Sequence, residues 1–408
     1  MPRLRPARRR LPARRLPARR SLVALAGSLA GSAALAATLT GCVPNEATAS
    51  DEAIAVTLTD TRCTVSTDRA TAGPITFQVT NSGSDVNEFE LLARDKLRIV
   101  GEKENIGPGT TVNYVVQLAE GDYFSACRKG MVGEPNHVTA FTVTPGSGKT
   151  ASQSENKQVA QAVDDYLGYV RDQSGALVTA TQKFAAAYAG GDDASARAQY
   201  ASARSFYERI EPTAEQFGDI DPALDLREAD LAQGQEWTGW HRIEKDLWPP
   251  AGYTAADPAT RTKLADTLVA DTQRLYDLVH AKDFTLTIDQ ISNGAIGLME
   301  EVASSKITGE EEAFSHTDLQ DFQANLEGAQ VAYGVVRDIA AKKGSTGTDV
   351  VKKLDAEFAT VAATLTRYRS GDGFVNYTEL STAQVKELSD QVNALSEPLS
   401  RLTSTIVK

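Results

Sequence analysis

The stretch Thr144–Lys157, TPGSGKTASQSENK, is where the chain changes character. It is polar and rich in Gly, Ser and Thr, the composition of a connector. Before it, apolar residues recur at every second position: Ile54, Val56 and Leu58; Ile75, Phe77 and Val79; Val112, Tyr114, Val116 and Leu118; Phe141 and Val143. Period two marks half-buried strands, and the intervening TNSGSD, IGPG and AEGD are turn chemistry. Residues 51–145 therefore read as a small antiparallel β-sandwich, large enough to bury one core. After the connector, Gly and Pro thin out. Val159, Ala162, Val163, Tyr166 and Val170 recur at three and four, the stripe of an amphipathic helix. Breaks near Gly190, Gly218, Pro249 and Pro250, Gly309, Gly344 and Gly371 cut residues 158–408 into about eight helices, enough for two stacked bundles. The expected fold class is multidomain: a β-sandwich, a linker over 146–157, and an all-α double bundle.

The first 41 residues read as a leader. Nine arginines and no acid fall between residues 3 and 20, and an apolar, small-residue stretch runs from Ser21 to Leu39. That is the layout of a secretion signal. Leu39, Thr40, Gly41 and Cys42 resemble a lipobox, which would make Cys42 the lipidated first residue of the mature chain and 42–50 a tether. Arg19 to Val23 partly matches a twin-arginine signal. The whole chain carries a formal charge of −12, so setting aside the nine arginines of the leader leaves about −21. Such a surface excludes nucleic acid as a partner and suits cations. Of three cysteines, Cys63 and Cys127 remain after Cys42. Outside the cytoplasm a lone pair reads as a disulfide or as two soft metal ligands, and the sequence leaves both open.

The stretch Thr238–Trp248, TGWHRIEKDLW, carries one of only four histidines. On a helix His241 and Glu244, three apart, share a face and can aim at one point. An imidazole with a carboxylate suits iron or zinc; the alternative is a packed polar pair. A zinc peptidase needs His-Glu-x-x-His, and neither that run nor its inverse occurs. Upstream, Glu208, Glu211 and Glu215 would fall along one helical face, where like charges call for an arginine or a bound cation. Arg204, Arg209 and Arg227 are the nearby candidates. Thr308 with Glu311 reads as a capping box, and Ser315 with Asp318 as a second helix start that places His316 in the turn.

In the β segment, Phe89 and Leu91 face one way and Glu88 and Glu90 the other. Glu102, Glu104, Asp122 and Cys127 lie nearby. A blue-copper centre needs two histidines with a cysteine, and His137 is the one histidine in this segment. A carboxylate site, with or without the two thiolates, stays open beside the disulfide.

Together, YERIEPTAEQFGDIDPALDLRE, WTGWHRIEKDLW, ISNGAIGLMEEVASSKITGEEEAFSHTDLQDFQANLEGAQ and YRSGDGFVNY resemble the imelysin-like domain of the EfeO family of iron-uptake components. GEKENIGPG and GDYFSAC look like that family's cupredoxin-like domain. The resemblance spans roughly residues 51–408 in the same order. It implies an extracytoplasmic iron-binding protein working beside a membrane iron permease and a haem-containing peroxidase. It places metal at His241 and Glu244. Glu211 and Glu215 are the next candidates, since a hinge between the bundles can bring their helix alongside, and Trp237, Trp240 and Trp248 would pack around the site. A second metal would sit at Cys63, Glu88, Glu90, Asp122 and Cys127. Iron is the implied ion, with copper or zinc as rivals, since most nitrogen and oxygen sites bind those two more tightly. The alternative functions are a ferroxidase or electron-transfer component with copper or iron in the cupredoxin-like domain, and a zinc-, copper- or glycan-binding surface lipoprotein.

Overall fold

The computed structural model describes residues 53–96, 99–131, 135–146 and 153–408. The leader, Cys42 and the tether lie outside the described residues. Nine strands precede the helices: β1 (Ile54–Leu58), β2 (Cys63–Val65), β3 (Arg69–Thr71), β4 (Gly73–Asn81), β5 (Asn87–Leu92), β6 (Ile99–Ile106), β7 (Thr111–Leu118), β8 (Gly121–Lys129) and β9 (Asn136–Thr144). They form two sheets, β2-β1-β4-β7 and β3-β9-β8-β5-β6. The pairs β1/β4 and β3/β9 are parallel, so the sandwich is mixed rather than purely antiparallel. The alternating residues face inward as their period requires: Val56, Leu58, Phe77, Val79, Phe89, Leu91 and Phe141 are buried between the sheets.

Cys63 on β2 and Cys127 on β8 form a disulfide across the two sheets, with Cα atoms 5.9 Å apart. This closes the alternative left open by the sequence: two sulfurs bonded to each other are not thiolate ligands.

Among the described residues ten α-helices follow: α1 (Gln153–Ala189), α2 (Asp193–Glu208), α3 (Ile220–Asp225), α4 (Gly239–Leu247), α5 (Pro258–His280), α6 (Ile288–Ser304), α7 (Asp318–Ala341), α8 (Gly344–Thr366), α9 (Thr382–Leu399) and α10 (Leu402–Val407). Helix α1 begins inside the expected linker of 146–157. Its first residues, Gln-Ser-Glu-Asn-Lys, hold no Gly or Pro, and a first turn leaves its N–H groups free in any case. Helices α1, α2, α5 and α7 pack as one bundle and α6 to α9 as a second, so α7 is common to both. No helix among the described residues is long and apolar enough to cross a membrane.

The β-sandwich rests on α6. The Asp289 carboxylate accepts the Gln117 backbone N–H at 2.7 Å, Asn293 Nδ2 donates to the Val115 carbonyl at 2.9 Å, and Lys103 pairs with Glu300. On an adjoining face α6 meets the segment after α2, and Gln290 bonds both the Val100 carbonyl and Gln216. A Cβ added to Gly294 would stand 1.7 Å from the Pro212 carbonyl oxygen, so only glycine lets these two backbones touch. Gly294→Ala is expected to lower stability by about 1–3 kcal/mol, as overpacking does. Gly334→Ala, at an exposed position of α7 with nothing within 4 Å, should raise it by about 0.5–1 kcal/mol through helix propensity. Urea denaturation of the two variants checks both signs.

Candidate metal centre

The placement of His241 begins with a backbone. Trp237 Nε1 donates to the Leu226 carbonyl at 2.7 Å and Thr238 Oγ1 to the Ala223 carbonyl at 3.0 Å. Gly239 opens α4 at φ 84°, pressed onto Leu224 so closely that a Cβ would lie 2.2 Å from its carbonyl oxygen. These contacts pin the start of α4 to the end of α3 and bring Asp225 beside His241. Pro249 and Pro250 follow α4 and cannot continue it. Trp240 packs with Phe184 and Tyr200 beneath the helix.

His241 is 2% exposed. Its Nδ1 lies 3.4 Å from Glu244 Oε2; its Nε2 lies 3.4 Å from Asp225 Oδ1 and 3.7 Å from Glu311 Oε1. Glu244 Oε1 accepts the backbone N–H groups of Phe314 and Ser315 at 2.9 and 2.6 Å, which ties α4 to the loop before α7. That loop delivers Glu311 and Glu312. Three sets of donor atoms lie within one ion's reach of each other: Asp225, His241 and Glu311; His241, Glu244 and Glu312; and Glu208, Glu211 and Glu311.

Arg204 of α2 stands at the centre, wholly buried. It pairs with Asp225, with Glu208 at 2.5 Å, Glu311 at 3.1 Å, Glu312 at 2.8 Å and, more distantly, Asp321 at 3.7 Å. Lys306 pairs with Glu211 and Glu311, and Arg227 with Glu311. With Glu244 and Asp318 beside them, eight carboxylates surround these three cations and His241, an excess of acid. Buried anions in excess hold protons or take a cation. Burial and the neighbouring Glu208 push Glu211 well above the usual carboxylate range; burial and Glu244 do the same to Glu312, and burial and Glu312 to Asp321. Burial and Arg204 oppose a charge on His241, yet Asp225, Glu244 and Glu311 outweigh them and hold the imidazole well above its ordinary value. Asp321 keeps both carboxylate oxygens, and Asp318 one, without a hydrogen-bond donor.

The cluster opens onto a cavity of about 530 Å³ between the helices and the sandwich. Asp225, Glu211 and Glu311 line its inner wall, Glu215, Asp221 and Glu301 its sides, and Glu102, Glu104 and Arg128 its β-sheet wall. Burial, reinforced by Glu104, pushes Glu215 up to about 8; burial raises Glu301 to about 8 and Asp221 to about 7.

Of the residues singled out from sequence, His241 and Glu244 meet, and Glu211 joins their cluster through Glu311. Glu215 does not: it faces Glu104 across the cavity. The single helical face expected for Glu208, Glu211 and Glu215 is broken. Helix α2 ends at Glu208, and Pro212 starts a tighter 3₁₀ turn over Glu211–Phe217 that points Glu215 elsewhere. In the sandwich Glu88 and Glu90 lie together with Glu102, and Arg128 pairs with both at 3.1 and 2.8 Å. Asp122 is not with them. It sits exposed near the start of β8, opposite Thr142. The expected capping box is also absent. Thr317 precedes α7, while Glu311 is taken by Arg204, Arg227 and Lys306, whose charges outbid a backbone N–H. Ser315 hydrogen-bonds Glu312 instead, at 2.7 Å. Asp225 and Glu312 were not among the residues expected from the sequence, and Glu311 was expected in a cap; the run Glu310–Glu312 close to Lys306 is the one sequence signal for them. No second histidine joins the cluster: His137 bonds the Thr61 carbonyl, His280 stacks on Tyr276, and His316 lines a separate surface pocket.

The iron uptake system component EfeO of Yersinia pestis is 35% identical over 356 residues, covering 86% of this chain and 91% of the relative. The chain belongs to the EfeO family. The component of the same name from Escherichia coli O1:K1 is 36% identical over 357 residues, with the same coverage. The family model Imelysin matches residues 162–402 and the model Cupredoxin-like domain matches residues 31–140, so both halves of the EfeO architecture are present.

For this EfeO-family chain, two outcomes test the electrostatics. Arg204→Met removes the cation between five acids and is expected to cost about 3–5 kcal/mol in denaturant unfolding of the metal-free protein, because the stranded charges stay buried. The second concerns pH. Glu215 and Glu301 bind protons more tightly folded than unfolded, between 4.5 and about 8. The metal-free fold therefore holds the extra protons in that window, and its stability falls as pH rises through it. Thermal melts across the window should show a falling midpoint, and a bound divalent ion should flatten the fall.

Proposed function

We propose that this protein captures iron outside the cytoplasm and delivers it to a membrane iron permease. The observation that carries the reading is the convergence of Asp225, His241 and Glu311 at the inner wall of an acidic cavity. Its relatives carry the name iron uptake system component, and its own donors are one imidazole nitrogen among many carboxylate oxygens, a set suited to iron and harder than copper prefers. His241 and Glu244, with Asp225, Glu311 and Glu312, are the proposed inner ligands. Glu211 and Glu208 supply the flank. Glu215, Glu301, Glu102 and Glu104 line the way in. The trio Glu88, Glu90 and Glu102, all oxygen, offers a second place for a hard ion on the sandwich side.

The leader and Cys42 fit export and a lipid anchor, which would hold the cavity near the membrane. A haem peroxidase is the second partner that the family resemblance implies. Zinc and copper are the competitors, since affinity at a mixed nitrogen and oxygen site follows the ordinary metal series. The ferroxidase alternative requires a redox centre in the sandwich. With Cys63 and Cys127 in a disulfide, a copper site there would have no cysteine thiolate.

The deciding experiment is elemental analysis of anaerobically purified protein, wild type and His241→Ala/Glu244→Ala, challenged with Fe(II), Fe(III), Zn(II) and Cu(II) in competition. Wild type should hold a tight equivalent that the double variant loses. A double variant that binds as well as wild type would sink the assignment of these residues and leave them a helix-packing pair. Metal uptake should also release protons, since ligand-binding carboxylates and the imidazolium must give theirs up, and affinity should weaken as pH falls.

A further inference from the structure

Lys306 stands where a cation would. It begins the short turn Lys306–Thr308 just after α6, and its side chain is wholly buried. Its ammonium lies 2.6 Å from Glu211 Oε1, 3.3 Å from Glu311 Oε1 and 3.6 Å from Glu208 Oε2. Those three carboxylates are close enough to share one ion. Asn325 completes the surround: Nδ2 donates to Glu208 and Glu211 at 2.9 and 2.6 Å, and its buried Oδ1 has no donor of its own.

Glu311 Oε1 is shared. It is 3.1 Å from Arg204 Nη2, 3.3 Å from the Lys306 ammonium and 3.7 Å from His241 Nε2. An ion held by Asp225, His241 and Glu311 must take this oxygen as a ligand at metal–oxygen distance, closer than the ammonium now stands. The same lone pairs cannot fully serve both, and two cations so near repel strongly even at an effective dielectric of ~20. The two cations on this oxygen, Arg204 and Lys306, are not equivalent. Arg204 is a rigid fork held by Asp225, Glu208, Glu311 and Glu312 at once, whereas Lys306 is a point charge on a flexible four-carbon stem. Lys306 is the one able to yield. Glu301, in the last turn of α6 and on the cavity wall, offers a carboxylate for it to turn toward, one that gives up its proton as the ammonium arrives.

We infer that Lys306 is a built-in competitor for the captured ion: its ammonium holds Glu208, Glu211 and Glu311 while the site is empty, is displaced toward Glu301 as the ion enters, and speeds the ion's departure by returning. This rests on the iron-capture reading. It adds to that reading a residue that sets retention against release. A carrier that hands on its cargo needs both, and eight carboxylates alone supply only the first.

The test compares wild type, Lys306→Gln and Lys306→Arg, with Mn(II) as a redox-inert probe. Affinity is measured by calorimetry and dissociation by stopped-flow transfer to a chelator. Lys306→Gln should bind at least about tenfold more tightly and release correspondingly slowly, because a buried like charge beside the ion is gone. Lys306→Arg, which keeps the charge on a more rigid fork, should show none of this gain and bind no more tightly than wild type. Equal or weaker binding by a folded Lys306→Gln overturns the inference while leaving the capture site standing. Wild type that takes no ion overturns both. If Lys306→Gln does not fold alone, Mn(II) should restore its helical circular dichroism by filling the vacated position; failure to fold with the ion makes Lys306 a structural cation and sinks the proposal.

Discussion

The helical domain is organised by a guanidinium that never meets water. Arg204 is 0% exposed and pairs with acids from four separate places in the chain: Glu208 on its own helix, Asp225 at the end of α3, Glu311 and Glu312 in the loop before α7, and Asp321 within α7. A charge so placed is tolerable only when its partners are all in position. Each partner is in turn a candidate ligand or the neighbour of one. The arrangement that stabilises the arginine is therefore the arrangement that gathers oxygen donors around His241. Assembly of the core and assembly of the site are the same event.

The excess of acids explains the rest of the cavity. Carboxylates beyond those that Arg204, Lys306 and Arg227 neutralise are held partly as neutral acids by burial, most clearly at Glu215 and Glu301. Such groups are ready to trade a proton for an ion. The sandwich contributes Glu102 and Glu104 to the opposite wall, and its attachment to α6 through backbone groups of β6 and β7 fixes that wall in place. Neither domain alone encloses the cavity. A carrier whose binding chamber is shared in this way exposes its cargo to both domains at once.

Much of this was legible in the chain. Period two before Thr144 and period three-to-four after Lys157 separate sheet from helix because each reflects a side-chain geometry fixed by the backbone. His241 and Glu244 were legible for the same reason: a helix puts residues three apart on one face. Asp225, Glu311 and Glu312 were not. They reach His241 through loops, and their pairing depends on a buried arginine whose partners lie far apart in sequence. Glu215 failed for a local reason, since Pro212 converts a continuous helix into a tighter turn and rotates it away. The parallel pairs β1/β4 and β3/β9 escaped too, because period two reports which face is buried and says nothing of strand direction.

The contact between Gly294 and the Pro212 carbonyl has a consequence for anyone who would build such a site elsewhere. Glu211 is carried on the segment that α6 touches, and the missing side chain at Gly294 sets how near that segment can lie. Gly239 does the same for α4 against α3. A graft that copied the histidine and every acid onto a foreign helical scaffold, but filled these two gaps with alanine, would carry all the ligands on backbones too far apart to share one ion. The portable unit is the set of donors together with two absences.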